Sequence, residues 1–141
     1  MPQVSPATMP IIYPCLSYRE PMAAMEWLTR AFGFVKRAAH PGPDGTIAHA
    51  EMSFGSGVIM LGSARPEFGW LSAQDLPAVN QTIYVVVDDP DGHYARAKAA
   101  GARIVLGLKD EDYGSRGYTA RDLEGNYWSF GTYRPGGDWE A

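Results

Sequence analysis

The same pattern of polar and hydrophobic positions occurs twice along the chain. The apolar run IIYPCLSY precedes the helical pattern PMAAMEWLTRAFG, and TIYVVVD precedes PDGHYARAKAAG. Apolar residues spaced by three and four positions are typical of an amphipathic helix, whereas alternating ones are typical of a strand. Proline at the first helical position and glycine after the last one mark a helix start and stop. Each half therefore predicts a strand that leads into a capped helix.

The similarity between the halves continues in two segments of equal length. HAEMSFGSGVIMLG begins at His49 and YTARDLEGNYWSFG begins at Tyr118, 69 positions later. The same separation relates Glu20–Pro21 to Asp89–Pro90, the pairs that open the two helices. A fixed internal repeat of this kind indicates a duplicated structural unit.

Each copy of the repeat predicts the order βαβββ. Turn signals at GPDG, Gly55–Ser56 and Glu124–Gly125 separate the later strands. The predicted strands are 11–18, 34–40, 46–54 and 57–62 in the first copy and 81–88, 103–108, 117–123 and 126–133 in the second, with helices at 21–32 and 90–100. The fold class is α+β, with tandem βαβββ modules forming a curved, cleft-bearing mixed sheet.

The same pattern divides the chain into segments. We expect an N-terminal arm at 1–10, modules at 11–62 and 81–134, a linker or flap at 63–80 and a tail at 135–141, all within one structural domain. Trp70 in the linker could act as part of a lid, although local docking of its apolar neighbours is the simpler interpretation.

Strand alternation assigns side chains to a helix-facing side and a cleft side. Trp128 has the parity of the helix-facing side, and His93 is expected to face solvent. On the third strand of the first module the cleft side is predicted to carry Ile47, His49, Glu51 and Ser53. The equivalent set in the second module is Tyr118, Ala120 and Asp122. The helical positions expected to pack on the sheets are Met25, Leu28, Phe32, Tyr94 and Ala97.

Composition and charge exclude several classes of protein. The 141 residues are 45% hydrophobic with a net charge of −4, and the lysines and arginines are scattered, so nucleic acid is not an expected partner. No apolar run approaches the ~20 residues of a membrane span, and the start MPQVSPATMP does not read as a secretory signal. A cytoplasmic location is the default expectation. Cys15 is the single cysteine, which excludes an internal disulfide.

Several side chains are candidates for a functional site. His49 and Glu51 lie two positions apart on one strand face, so they form either a proton-transfer pair or an ordinary polar pair. Together with His40 they could also form a displaced metal site. Aromatic walls suited to flat or cationic ligands are offered by Tyr13, Tyr84 and Tyr127, although packing between sheets explains them equally well. The loop KDEDYGSRGY adds Tyr113 and Arg116 as rim residues, and Arg116 could bind a carboxylate or phosphate.

The tandem modules, the ending DLEGNYWSFGTY and the acidic residue and proline before each helix resemble the vicinal oxygen chelate superfamily. That superfamily includes glyoxalase I, extradiol dioxygenases, and the fosfomycin- and bleomycin-resistance proteins. The resemblance covers residues 10–134 and implies the fold rather than one activity, because one fold supports many functions.

Metal-using members of that superfamily take His or Glu ligands from the first, fourth, fifth and eighth strands. The positions that match by motif are Tyr13, Met60, Thr82 and Ser129, which obey the same repeat. None is a His, Asp or Glu, and a thioether with neutral hydroxyls is a poor donor set for Zn²⁺, Ni²⁺ or Fe²⁺. The resemblance therefore implies a member that lacks the metal ligands, and no cofactor is expected.

Three functions remain open on this basis. The first is a metal-free protein that sequesters a small molecule in a cleft, as bleomycin-resistance proteins do. The residues expected to line this cleft are Tyr13, His49, Glu51, Met60, Thr82, Tyr84, Tyr127 and Ser129. The second is a glyoxalase-like isomerase or lyase that uses His49 and Glu51 as acid and base. The third is an interaction module whose cleft is filled by its own side chains. The resemblance also implies a homodimer, in which modules can pair within one chain or across two, and leaves the small-molecule ligand unidentified.

Overall fold

The computed structural model describes residues 9–139 and contains the βαβββ order twice, as predicted. The first copy consists of β1 (Cys15–Tyr18), α1 (Pro21–Phe32), β2 (Val35–Pro41), β3 (Ile47–Phe54) and β4 (Gly57–Ser63). The second consists of β5 (Thr82–Val86), α2 (Pro90–Ala99), β6 (Arg103–Asp110), β7 (Arg116–Arg121) and β8 (Tyr127–Gly131). Most of the predicted N-terminal arm and the end of the predicted tail lie outside the described residues.

The strands form two four-stranded mixed sheets, ordered β1-β4-β3-β2 and β5-β8-β7-β6. In each sheet the first strand pairs with the last in parallel, and the remaining pairs are antiparallel. The parallel registers match across the copies, since Cys15 pairs with Met60 and Tyr84 with Ser129. The fold class is thus α+β with tandem modules. Strands β1 and β5 lie at the edges of their sheets.

Strand β1 is shorter than its apolar run. Pairing with β4 begins at Cys15 rather than at residue 11, although the Pro14 carbonyl still accepts a hydrogen bond from the Met60 N–H at 2.8 Å. Pro14 has no N–H to donate, which limits strand pairing before Cys15. Ile11 and Ile12 therefore precede the strand and are 92% and 87% exposed.

The helices begin and end where the sequence signals predict. Pro21 opens α1, and Gly33 follows it in the left-handed conformation with φ 85°. Pro90 opens α2, where the Asp89 side chain accepts a hydrogen bond from the Gly92 N–H. The predicted packing residues Met25, Leu28, Phe32 and Ala97 are buried, and Tyr94 packs against the same core. Among the described residues, no helix is long and apolar enough to cross a membrane.

The two modules share one hydrophobic core. Helices α1 and α2 contact each other, and Phe32 at the end of α1 packs against Phe130 and Trp128 of β8, at ring distances of 4.6 and 5.7 Å. Phe34 also contacts Trp128, at 5.4 Å. Trp128 is fully buried, as its parity predicted. The helix-facing sides of both sheets meet this core, so their other sides face away from it.

The prediction of which β7 residues face the cleft is wrong. Tyr118, Ala120 and Asp122 are buried on the core side, while Thr119 pairs with Ser129. The corresponding pair in the first module is Glu51 with Met60, so β7 is related to β3 by 68 positions and β8 to β4 by 69. The longer β7–β8 loop absorbs the difference. A slip of one residue moves every side chain of a strand to the opposite face.

The expectation that His93 faces solvent is also wrong. Its ring lies 4.2 Å from the ring of Phe130, and both ring nitrogens have partners at hydrogen-bond distance. The first turn of α2 packs against the end of α1, which brings His93 between the modules. Burial of an imidazole is tolerated because its polar atoms are satisfied there.

Candidate functional site

The cleft side of the first sheet gathers three of the predicted site residues. Met60 on β4 is directly opposite Cys15 on one neighbouring strand and Glu51 on the other. Alternation on β3 buries Ala50 and Met52 against the helix and leaves His49 and Glu51 partly exposed. The sequence therefore placed His49, Glu51 and Met60 on one surface, as the structure has them.

His49 and Glu51 form a hydrogen-bonded pair. The His49 Nε2 atom lies 2.7 Å from Glu51 Oε2, and the two side chains are 40% and 43% exposed. The His40 ring stacks on the His49 ring at 5.9 Å. A carboxylate that bonds one ring nitrogen orients the imidazole and leaves its other nitrogen available to a ligand. The pair can therefore bind a polar group or exchange a proton with it.

A cleft of about 520 Å³ lies beside this pair. His49 and Met60 line it together with Cys15 and Ser17 of β1, and Trp70 from the segment between the modules forms part of its wall. Its volume is that of a typical small-molecule site. The alternation of β1 predicts this cleft-side position for Cys15 and Ser17.

The segment between the modules is attached to the body of the protein. Ser72 is fully buried and its hydroxyl donates to the Glu124 carboxylate, and Arg19 pairs with Asp75. Arg65 forms a β-bridge with Trp70, which holds the intervening turn. Phe68 and Trp70 stay exposed and contact each other at 5.4 Å, so this turn projects beside the cleft.

The cleft side of the second sheet carries four other predicted residues. Ser129 is bonded to Thr119, their hydroxyl oxygens being 2.6 Å apart, and Tyr127 lies under the Arg121 guanidinium at 5.1 Å. Thr82 is exposed at the start of β5. The Tyr84 hydroxyl donates to the Tyr133 carbonyl at 2.7 Å, and partial burial raises the pKa of Tyr84.

The predicted rim residues have different partners. Tyr113 is exposed and packs edge-on against Tyr133 at 5.4 Å. Arg116 bonds to Asp91 at 2.9 Å and lies 3.3 Å from Asp110, so its pKa is raised and that of Asp91 is lowered. The guanidinium is thus already neutralised by two carboxylates of the same chain. An anionic ligand would have to displace them.

A second cleft, of about 530 Å³, runs along the free edges of β1 and β5. Cys15 and Ser17 line it from the first module, and Ile83 and Tyr127 from the second, with Trp70 between them. Tyr13 precedes β1, and its hydroxyl donates to the Pro10 carbonyl at 2.7 Å. Apart from Tyr127, the predicted residues of the second sheet line neither cleft. The predicted site residues therefore lie on the cleft sides of two separate sheets.

The sequence analysis did not predict a role for two buried carboxylates, Asp122 and Glu124, that link the modules. Asp122 accepts from Tyr18, Trp128 and Asn126 side chains. Glu124 accepts from the backbone N–H groups of Arg19 and Glu20, at 2.7 and 2.9 Å. Both lie in the DLEGN segment, which the sequence offers as a family motif but to which it assigns no structural role. These residues join the β7–β8 loop to the start of α1.

Comparison with known proteins agrees with this architecture. Residues 11–130 match the family model described as the Glyoxalase/Bleomycin resistance protein/Dioxygenase superfamily. The chain belongs to this superfamily. The crystal structure of TioX from Micromonospora sp. ML1 is 35% identical with a TM-score of 0.69, covering 86% of this chain and 94% of that chain.

Two further proteins are similar to this chain at lower identity. An enzyme of the same superfamily from Burkholderia phytofirmans PsJN is 18% identical with a TM-score of 0.68, over 84% of this chain and 94% of that chain, which shows the fold alone. The uncharacterized protein Rv0887c of Mycobacterium tuberculosis is 30% identical over 125 residues, which is 86% of this chain and 74% of that protein.

The metal sites found in this superfamily do not fit the donors of this chain. The matching positions, Tyr13, Met60, Thr82 and Ser129, offer a phenol, a thioether and two hydroxyls. Ser129 is bonded to Thr119 and Tyr13 to a backbone carbonyl. Across residues 9–139, no three His, Cys, Asp or Glu side chains form a group able to hold a metal ion.

Proposed function

We propose that this member of the superfamily binds a small molecule in a metal-free cleft and sequesters it. The observation that carries the proposal is the donor set at Tyr13, Met60, Thr82 and Ser129, which cannot form a conventional divalent-metal site. The cleft side of the first sheet nevertheless keeps a cavity with aromatic, thioether and hydrogen-bonding groups. Such a surface favours recognition by shape, stacking and a few polar contacts.

We further propose that the complete cleft forms between two copies of the chain. The cleft side of the first sheet would face the cleft side of a partner's second sheet, and this would place Tyr84, Tyr127 and Ser129 opposite Met60 and His49. The free edges of β1 and β5 and the exposed Ile11 and Ile12 support this assembly. Unpaired sheet edges and adjacent apolar residues are surfaces that homodimers cover.

The binding proposal is tested with a library of flat and cationic natural products, including copper-free bleomycin as a named probe. Binding is measured by Trp fluorescence and calorimetry in buffer with and without EDTA. We expect at least one compound to bind saturably. Because the proposed contacts involve no metal ion, EDTA should change the Kd by less than about twofold, which is about 0.4 kcal/mol. Loss of binding on addition of EDTA, or no binding by any compound, would contradict the proposal.

A second candidate function rests on the 2.7 Å contact between His49 and Glu51 beside the cleft. In this alternative the chain is a glyoxalase-like isomerase or lyase, in which the imidazole takes a substrate proton and the carboxylate stabilises the imidazolium. Removal of a positioned general base typically lowers the rate by about 10²–10⁴-fold.

The alternative is tested by following each bound compound by NMR for chemical conversion. If a compound is turned over, His49→Gln should reduce kcat by at least about 100-fold and leave the unfolding midpoint unchanged. His40→Gln is the matched control, because it removes the stacked ring without touching Glu51. Equal rates in the His49→Gln variant and the unsubstituted protein would exclude this mechanism.

A further inference from the structure

The two ring nitrogens of His93, on α2 of the second module, contact one residue of each module. Nδ1 lies 2.6 Å from the Tyr118 hydroxyl on β7, and Nε2 lies 2.8 Å from the carbonyl oxygen of Phe32 at the end of α1. The ring packs 4.2 Å from Phe130 and 6.1 Å from Phe54, so residues of both sheets contact the half-buried imidazole. The other two histidines lie on the partly exposed surface of the first sheet.

The partners of His93 define its protonation state. A carbonyl oxygen only accepts hydrogen bonds, so Nε2 must carry a proton. In the neutral ring Nδ1 is then the acceptor, and the Tyr118 hydroxyl donates to it. Both contacts are satisfied at once by the neutral form. A proton added to Nδ1 would meet the phenol proton, which would have to turn toward the His93 carbonyl, a longer contact of 3.4 Å.

The charged and titratable groups around His93 do not compensate for its burial. From its own helix, the positive charge of Arg96 opposes protonation of His93, while its guanidinium donates to the carbonyls of Arg30 and Thr29. From β7 comes the Tyr118 phenol, whose pKa is raised by burial, and Tyr94 packs on that ring at 5.2 Å. Asp89 and Asp91 belong to the start of the same helix, where Asp91 is bonded to Arg116. Phe32, Phe54 and Phe130 carry no charge.

We propose that His93 is a pH-sensitive latch between the two modules. The neutral ring bonds to the Phe32 carbonyl of the first module while it accepts from Tyr118 of its own module, and protonation breaks the Tyr118 contact and leaves a charge at this junction, which weakens the latch. Burial lowers the pKa of His93 more than the Phe32 carbonyl raises it, and Arg96 lowers it further. Protonation therefore favours the unfolded chain, where the imidazole has its ordinary pKa of about 6.5. The stabilisation is complete above that pH and is lost as the pH falls through the folded-state value.

The latch is tested first by NMR titration of the three imidazoles in the unsubstituted protein, assigned with the variants His40→Gln and His49→Gln. We expect the His93 resonance to titrate below about 6.5, with the Nε2-protonated tautomer at neutral pH. A pKa at or above that value, or the other tautomer, would overturn the proposal. This titration does not depend on any His93 variant folding.

The second measurement is the unfolding midpoint between pH 7.5 and 5.0. The thermal midpoint should fall as the pH is lowered over this range. For every unit by which the pKa of His93 is lower in the folded protein than in the unfolded chain, the total fall should be roughly 5 °C in a chain of this size. His93→Gln should remove that part of the pH dependence, whereas His40→Gln should keep it. An identical pH dependence in His93→Gln and the unsubstituted protein would contradict the latch.

Discussion

Replacing Asp122 by alanine is expected to lower the free energy of unfolding by about 3–5 kcal/mol. The Asp122 side chain is 1% exposed and accepts from the Tyr18 hydroxyl at 2.7 Å and from the Trp128 Nε1 at 3.0 Å. It also accepts from the backbone N–H groups of Glu124 and Asn126, both at 3.0 Å. The alanine variant leaves the buried phenol and indole without their acceptor, and each such group costs about 1–3 kcal/mol.

The hydrogen bond from Tyr18 to Asp122 joins the first module to the second, so the loss of stability in Asp122→Ala should affect both modules. Tyr18 belongs to β1, and burial together with the nearby Asp122 carboxylate holds the pKa of Tyr18 well above its ordinary value, so its hydroxyl remains a donor. Asp122→Asn keeps one oxygen acceptor and should lose less stability than Asp122→Ala. Urea unfolding measures both. Asp112→Ala removes an exposed carboxylate of the same chemistry as a control, and an equal effect of Asp112→Ala and Asp122→Ala would contradict the assignment.

Phe32→Ala should lower the free energy of unfolding by a comparable amount, about 3–5 kcal/mol. Phe32 is fully buried and its ring contacts Trp27, Trp128 and Phe130 at 4.9, 5.7 and 4.6 Å. Removing the ring opens a cavity between α1 and the second sheet, where the surrounding aromatic rings relax only partially.

Urea unfolding of Phe32→Ala is compared with that of Phe68→Ala, which truncates a phenylalanine that is 60% exposed. The exposed site should lose less than about 1 kcal/mol, since most of its ring is already in water. A separate, earlier transition of one module in the Phe32→Ala variant would show that the shared core couples the modules. A loss below about 1 kcal/mol for Phe32→Ala would show that it does not.

Most elements of the fold were predictable because two copies of the same pattern support each other. Pro21 and Pro90 start the helices and Gly33 ends the first, which are local effects that need no tertiary information. The parity of Met60 and Ser129 follows from the repeat, and the matching registers confirm it. The short β1 was less predictable, because its apolar run continues before Pro14 without a pairing partner.

The positions that the sequence assigned incorrectly depend on tertiary structure. Ala120 was placed on the cleft side because the repeat was applied without the extra residue of the β7–β8 loop, and one residue inverts a strand. His93 resembles a surface residue in sequence, and only the packing of α1 on α2 encloses it. The predicted site residues also lie on two separate sheets, and strand patterns do not encode how the two modules are arranged.

Native mass spectrometry of the untagged, undialysed protein tests the central claim most directly, because it reports assembly and bound metal in one spectrum. A metal-free cleft between two copies predicts a species of twice the 15.4 kDa chain mass with no transition metal attached. A species of one chain mass would contradict the shared cleft. One equivalent of metal per chain would contradict the interpretation of Tyr13, Met60, Thr82 and Ser129.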